Sequence, residues 1–185
     1  KQGPVQNIRL AKQKIAEKHV AKIRHDWGLS DAKRDETKKT PENIQRFDNI
    51  LYGEDEKWQI LDVYKPKSAE GKLPVIVNVH GGGWVYGTKE VYQFYCMSLA
   101  QMGFAVVNFN YRLAPENKFP SSVEDTNSVF NWIEKNQTEY GFDCKNVFAV
   151  GDSAGANLLA LYAAILTNAE LKKKIDEGEF IEDSI

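Results

Sequence analysis

A five-residue segment, Gly151-Asp152-Ser153-Ala154-Gly155, constrains the fold more than any other part of this chain. It follows the run NVFAV and precedes the run ANLLALYAAIL, which are typical of a strand and of a helix. A sharp strand-to-helix turn strains its central residue and requires small neighbours, and the helix N-terminus favours a developing negative charge. The segment therefore predicts a candidate nucleophile at Ser153. The alternative is a tight turn whose serine only caps the helix.

A second segment, His80-Gly81-Gly82-Gly83-Trp84, follows the apolar run VIVNV. Consecutive glycines let the main chain approach a substrate closely and point its amides at a developing oxyanion. Loops of this kind contribute to the oxyanion hole of hydrolases that carry a G-x-S-x-G turn. A flexible loop or a phosphate-binding loop is the alternative, although neither the P-loop Lys-Ser/Thr pair nor a G-x-G-x-x-G pattern is present.

Strand-like and helix-like runs alternate around these two segments. The predicted strands cover 58–65, 75–79, 105–109 and 147–150, and the predicted helices cover about 90–102, 122–136 and 154–168. This alternation predicts βαβ units with right-handed crossovers. The expected fold class is therefore α/β, with a mostly parallel sheet flanked by helices.

The N-terminal segment has helical periodicity. Its larger apolar residues form one stripe from Ile8 to Trp27, which predicts an amphipathic helix that packs on the main body or covers a substrate as a cap. His19 and His25 are expected to be ordinary helical residues. We expect residues 30–44 to form a solvated connection with one short helix, and residues 170–185 to form a charged, helix-prone tail.

Composition narrows the set of partners. The net charge of −2 arises from 24 basic and 26 acidic residues that are mixed along the chain, so neither nucleic acid nor a membrane is expected as a partner. No apolar stretch approaches the roughly 20 residues that span a bilayer. Two cysteines favour free thiols and a reducing compartment, so we expect a cytoplasmic protein. Because the sequence begins at Lys1, a removed signal peptide is the alternative.

Three blocks together resemble the hormone-sensitive-lipase-like carboxylesterases of the α/β-hydrolase fold. They are HGGGW at 80–84, NYRLAPENKFPSSVED at 110–125 and GDSAGAN at 151–157. The middle block departs from the family pattern at Asn110, where aspartate is usual, and at Asn117, where histidine is common. Neither position belongs to the family's catalytic triad, so the chemistry implied by the resemblance is unaffected.

The resemblance implies a role for individual residues. Ser153 would be the nucleophile, Gly82, Gly83 and Ala154 would supply the oxyanion-hole amides, and His80 would support the glycine loop. Trp84 and Tyr86, with Phe119, are candidates for lining the substrate pocket. Tyr111, Arg112, Pro115 and Glu116 would anchor a loop beneath the site through an Arg–carboxylate pair, and Asp152 would make a scaffold hydrogen bond. No metal or organic cofactor is implied.

The triad is incomplete in this sequence. In this fold the acid and the histidine follow the serine, yet no histidine follows Ser153. Asp176 and Asp183 do follow it, but they lie in the charged tail. We therefore expect a helical cap segment at 1–45 and the N-terminal portion of the core domain at 46–185, with the C-terminal part of the fold absent. A missing C-terminal segment or a second chain would complete the enzyme.

The expected activity is that of a serine carboxylesterase that cleaves small or short-chain acyl esters through an acyl-enzyme, with this chain alone inactive. A non-catalytic binding protein on the same fold is one alternative. A related lactone or peptide hydrolase is another. The sequence fixes neither the ester nor the oligomeric state.

Overall fold

The computed structural model describes residues 4–176. The helices are α1 (Pro4–Asp35), α2 (Lys89–Gln101), α3 (Ser121–Lys135), α4 (Gln137–Tyr140), α5 (Ala154–Thr167) and α6 (Ala169–Asp176). The strands are β1 (Ile44–Leu51), β2 (Ile60–Pro66), β3 (Leu73–Val79), β4 (Ala105–Phe109) and β5 (Phe142–Gly151). Two compact units divide between Lys38 and Lys39. The first contains α1, and the second contains the sheet and the other helices.

The five strands form one sheet in the order β1-β2-β4-β3-β5. Strands β3, β4 and β5 are parallel, as the alternation of strands and helices predicts. Strands β1 and β2 pair antiparallel with each other, and β2 pairs antiparallel with β4, so the sheet is mixed. The predicted α/β class with flanking helices is confirmed. Because β3 and β5 are parallel neighbours, the loops that follow them leave the same edge of the sheet.

Apolar residues cover both faces of the sheet. One face carries Val75, Val77 and Val79 of β3, which pack with residues of α3 and α5 such as Val129 and Leu158. The opposite face packs against α2, and its cluster comprises Ile44, Tyr64, Ile76, Cys96, Met97, Ala100 and Val106. Each fully buried aliphatic or aromatic side chain contributes about 1.5–3 kcal/mol. The resulting three layers bury the second half of β3 on both faces, whereas Phe148 and Ala149 of β5 are exposed.

The structure adds one strand that was not predicted and lengthens another. Strand β1 was not expected because its sequence, IQRFDNIL, mixes polar and apolar residues, and several of its side chains are exposed. Strand β5 begins at Phe142, five residues before the predicted start, because Phe142 and Asp143 already pair with Leu73 and Pro74 of β3. A register irregularity between Pro74 and Val75 accompanies that early pairing.

Helix α1 is longer than expected and replaces the first part of the predicted solvated connection. It continues to Asp35, where Arg34 forms ion pairs with Asp31 and Asp35. Such local pairs stabilise a helix end that has no apolar residues to bury. The side chains of Ile8, Ile15 and Trp27 are exposed. In the part of the chain that the structure describes, no helix has both the length and the hydropathy for crossing a bilayer.

Candidate active site

The two glycine-containing segments meet at the carboxyl ends of β3 and β5. Val79, the last residue of β3, is the register partner of Gly151, the last residue of β5. His80 therefore begins one loop where Asp152 begins the other. Brought together by the sheet, the two segments can act on one substrate.

Ser153 lies at the tip of a strained turn. Its backbone has φ 49° and ψ −118°, an unusual conformation for a residue with a Cβ atom. The N–H of Gly155 donates to the Asp152 carbonyl at 2.8 Å, and the N–H of Asn157 donates to the Ser153 carbonyl at 3.0 Å. The side chain of Ser153 is exposed and makes no capping hydrogen bond to the helix. Its hydroxyl is therefore available for chemistry, which disfavours the helix-cap alternative.

Small residues around Ser153 are required by the close packing of the turn on β3. A Cβ atom at Gly155 would lie 2.0 Å from the Val79 carbonyl oxygen and 2.7 Å from that of His80. A Cβ atom at Gly151 would lie 2.9 Å from the same Val79 oxygen. The turn thus packs directly against the main chain that enters the glycine loop. Ala154 is buried and is the first residue of α5, so its amide lacks an intrahelical acceptor.

The glycine loop has a backbone that few other residues adopt. Gly82 has φ +123° and Gly83 has φ +60°, and a Cβ atom at Gly82 would lie 2.0 Å from the Tyr86 carbonyl oxygen. The Gly82 carbonyl accepts the amides of Val85 at 3.2 Å and Tyr86 at 3.0 Å. None of the turn and loop hydrogen bonds between described residues uses the amide of Gly82 or of Gly83 as donor. Both amides can therefore serve a ligand.

His80, the first residue of this loop, is fully buried. Its ring stacks on Tyr111 at a centroid distance of 4.1 Å, and its carbonyl accepts the Tyr111 hydroxyl at 2.8 Å. Its Nδ1 lies 2.7 Å from the Gly81 carbonyl, while Nε2 has no hydrogen-bond partner among the described residues. Burial lowers the pKa of His80 to about 4, so the imidazole is neutral near pH 7.

The neutral state of His80 predicts a pH dependence of stability. In the unfolded chain the pKa is close to the ordinary 6.5, so unfolding takes up a proton between pH 6.5 and about 4. The neutral His80 therefore contributes fully to the free energy of unfolding above pH 6.5. This contribution, roughly 3 kcal/mol, is lost as the pH falls to about 4. The free energy of unfolding, measured in urea at pH 7.0, 5.5 and 4.5, should fall more steeply with decreasing pH in the wild type than in His80→Gln. The exposed His19, changed to Gln, is the control, and equal slopes for wild type and His80→Gln would contradict the assignment.

Beneath the site, the predicted Arg–carboxylate pair is formed by Arg112 and Asp125. The Asp125 carboxylate accepts the Arg112 amide at 2.7 Å and its Nε at 2.9 Å, and it also accepts Gln59 Nε2 at 2.8 Å. Asp125 is fully buried, so these charge-assisted bonds fix the segment after β4 to α3. The Ala114 amide donates to the Trp84 carbonyl at 2.8 Å and ties the same segment to the glycine loop.

Asn110, one of the two departures from the family pattern, directly follows β4 and is buried against the first residue of α2. Its side-chain oxygen accepts the Lys89 amide at 2.6 Å, and Asn108 Nδ2 donates to the Lys89 carbonyl at 2.6 Å. The Lys89 ammonium group is buried against Asp62 at 2.9 Å. The Asn110 side chain thus accepts a backbone amide of the first residue of α2, as an aspartate at this position could also do.

The aromatic residues predicted to line a pocket differ in exposure. The side chains of Trp84 and Phe119 are each 40% exposed, whereas Tyr86 is partly buried. Trp84 has φ +60°, in the left-handed region that few residues with a Cβ atom adopt. Their lining role stays a prediction.

Sequence reasoning missed Tyr92, whose hydroxyl donates to Asp152 Oδ1 at 2.7 Å. The same oxygen accepts the Gly81 amide at 3.1 Å, which is the scaffold hydrogen bond expected of Asp152. Nothing in the local sequence marks Tyr92, because 60 residues separate it from Asp152. Of the tail candidates, Asp183 lies outside the described residues and the side chain of Asp176 is not described. His19 and His25 lie on α1, with exposed side chains.

Comparison with known proteins identifies the family. A family model described as BD-FAE matches residues 61–184, more than half of the chain. The chain belongs to the BD-FAE family. The matched region of this BD-FAE chain includes both the glycine loop and the Ser153 turn.

Relatives of this BD-FAE chain include esterases. It is 31% identical over 131 residues to esterase LipC of Mycobacterium tuberculosis, covering 70% of this chain and 32% of that protein. It is 36% identical over 104 residues to carboxylesterase NlhH of the same organism, covering 56% of this chain and 33% of that protein. The predicted resemblance to α/β-hydrolase carboxylesterases is confirmed.

Solved structures agree with the BD-FAE assignment. Esterase B from Lactobacillus rhamnosis superposes with a TM-score of 0.79 at 31% identity, covering 86% of this chain and 52% of that one. A hyperthermophilic esterase from Pyrobaculum calidifontis gives 0.68 at 32% identity, covering 80% and 48%. This BD-FAE chain thus spans about a third of the length of its curated relatives and about half of these esterase structures.

Proposed function

We propose that the chain carries the nucleophile and the oxyanion hole of a serine carboxylesterase that cleaves small or short-chain acyl esters. The observation that carries this proposal is the exposed, strained Ser153 packed beside a glycine loop with available amides. The names of the relatives, which include a carboxylesterase and several esterases, support the ester as the bond cleaved. No observation favours the lactone, peptide or binding-protein alternatives.

The proposed reaction proceeds in two steps. Ser153 Oγ attacks the ester carbonyl while a general base takes its proton, and the amides of Gly82, Gly83 and Ala154 stabilise the tetrahedral oxyanion. Collapse of this intermediate expels the alcohol, which takes a proton, and leaves an acyl-enzyme. Water then attacks the acyl carbonyl, and the acid is released as Ser153 regains its proton.

The general base and its acid partner are proposed to come from outside these 185 residues. None of the three histidines follows Ser153, and His80 is buried, with a pKa lowered by burial. A further segment or a second chain would supply both groups, so these 185 residues alone should not turn over esters. The helical cap segment predicted at 1–45 and the core portion predicted at 46–185 stay proposals, although the compact units divide between Lys38 and Lys39 and Ile44 already pairs in the sheet. Two free thiols support a cytoplasmic location.

The substrate class can be tested on the full-length protein with p-nitrophenyl esters of 2, 4, 8 and 12 acyl carbons. We expect kcat/KM to be highest for the two short chains and at least about tenfold lower for the longest, since each extra methylene must find apolar space in the pocket. A γ-lactone and a p-nitroanilide serve as controls for the related hydrolases. Preference for either would replace the proposed substrate class, and inertness toward all of them would favour a binding protein.

A further inference from the structure

Three polar groups from three parts of the chain meet beside the candidate nucleophile. Asp152 Oδ1 accepts the Tyr92 hydroxyl at 2.7 Å and the Gly81 amide at 3.1 Å. The Gly81 amide also donates to the Tyr92 hydroxyl oxygen at 3.3 Å. One carboxylate oxygen thus joins the serine turn, the glycine loop and helix α2.

Asp152 and Gly81, which are joined by a hydrogen bond, are each next in sequence to a residue with a proposed catalytic role. Asp152 directly precedes Ser153, and Gly81 directly precedes Gly82. The hydrogen bond from the Gly81 amide to Asp152 therefore connects the turn that carries the nucleophile to the loop that carries the proposed amide donors. A Cβ atom at Gly81 would lie 2.8 Å and 3.0 Å from the two Asp152 carboxylate oxygens. Any residue with a Cβ atom at position 81 would displace the Asp152 carboxylate from this position. Any change in the carboxylate's position is therefore transmitted to both halves of the site.

Tyr92 is held by a rigid element, whereas the Asp152 carboxylate is exposed to solvent. Helix α2 is fixed to the sheet by the buried side chains of Cys96 and Met97, and the Tyr92 ring lies 6.3 Å from the His80 ring. An exposed carboxylate without a fixed donor can rotate and bind water in place of the Gly81 amide. The Tyr92 hydroxyl selects the orientation in which that amide is bound.

We propose that Tyr92 is a positioning residue that acts through Asp152 to fix the distance between Ser153 and the amides of Gly82 and Gly83. The proposal rests on the proposed function, because it treats those amides as oxyanion donors. A displacement of about 1 Å in such a site can lower the rate about a hundredfold. Loss of one orienting bond should have a smaller effect than that.

The first test compares Tyr92→Phe with the wild type in the full-length protein, with p-nitrophenyl butyrate as substrate. We expect kcat to fall about tenfold and KM to stay within about twofold, because the loss concerns the transition state more than ground-state binding. Tyr95→Phe is the matched control, since Tyr95 lies on the same helix and its side chain is exposed. It should retain the wild-type kcat.

A double-mutant cycle separates this role from a general effect of Tyr92 on packing. In an Asp152→Ala background, Tyr92→Phe should cause no further loss of kcat, because its effect passes through the carboxylate. Asp152→Asn keeps an acceptor oxygen and should retain more activity than Asp152→Ala. Additive losses in the cycle would contradict the proposal.

Amide hydrogen exchange at residues 81–83 provides a readout that does not depend on turnover. We expect exchange of the Gly81 amide to be at least about fivefold faster in Tyr92→Phe than in the wild type or in Tyr95→Phe. In the Asp152→Ala background, Tyr92→Phe should not accelerate this exchange further, whereas loss of the direct bond from Gly81 to Tyr92 would accelerate it there too. If the wild-type protein cleaves no ester, the proposed function fails, and the exchange rates still decide the positioning role. A wild-type kcat or an unchanged Gly81 exchange rate in Tyr92→Phe would overturn the proposal.

Discussion

Replacement of Ser153 by alanine should lower kcat of the full-length protein on p-nitrophenyl butyrate by roughly 10⁴-fold or more. The hydroxyl oxygen forms the bond to the acyl group, and alanine offers no substitute. Stability should change little, because the Ser153 side chain is exposed and makes no capping bond. Alanine also tolerates φ 49° about as well as serine does.

Ser98→Ala is the control for this substitution. Ser98 is an exposed serine of α2 whose hydroxyl donates to the nearby Tyr95 carbonyl at 2.6 Å. Its loss should leave kcat unchanged. A Ser153→Ala protein with the wild-type melting temperature and with turnover within tenfold of wild type would refute the nucleophile assignment.

Gly82→Ala should reduce kcat by about 10²- to 10³-fold, the loss typical of a damaged oxyanion hole. A methyl group at position 82 would lie 2.0 Å from the Tyr86 carbonyl oxygen and 3.2 Å from the Gly87 amide nitrogen. These are backbone atoms, so the loop itself must move, and the amide of Gly82 moves with it. The larger side chain of Gly82→Val meets the same atoms.

Gly83→Ala is the matched comparison within the same loop. Its φ of +60° makes alanine unfavourable by about 1 kcal/mol, but nothing lies within 4 Å of the added Cβ atom. We expect less than about a tenfold loss of kcat for this variant, with a melting temperature lowered by a few degrees at most. Equal losses for Gly82→Ala and Gly83→Ala would show that the Tyr86 contact does not control the loop.

The central strand β4 was predictable because burial on both faces of the sheet selects a nearly continuous apolar run. Residues Ala105–Phe109 form β4 within the predicted bounds, and all five are buried in the structure. Strand β1 was missed because polar residues such as Gln45 and Asp48 do not alternate regularly with its apolar residues. Its pairing with β2 is a tertiary contact, which the local sequence does not encode. The end of α1 was missed because ion pairs, with no apolar stripe, extend it to Asp35.

The site divides in the same way between local and tertiary features. The turn at Ser153 and the loop at Gly82 were predictable since strained backbone demands glycine or small neighbours at fixed offsets. The stacking of His80 on Tyr111 and the bond from Tyr92 to Asp152 were not. These contacts arise only when β3, β5 and α2 pack together, and no spacing in the sequence encodes them.

The proposed hydrolysis depends most on Ser153 acting as a nucleophile beside the amides that stabilise the oxyanion. A short-chain alkyl phosphonate p-nitrophenyl ester tests this directly, because the serine oxygen displaces p-nitrophenolate and retains the phosphonyl group. Mass spectrometry of the digested full-length protein should place one adduct on Ser153, with no adduct in Ser153→Ala and at least about a tenfold slower reaction in Gly82→Ala. An adduct at a different residue, or none under conditions in which the protein cleaves p-nitrophenyl butyrate, would contradict the account.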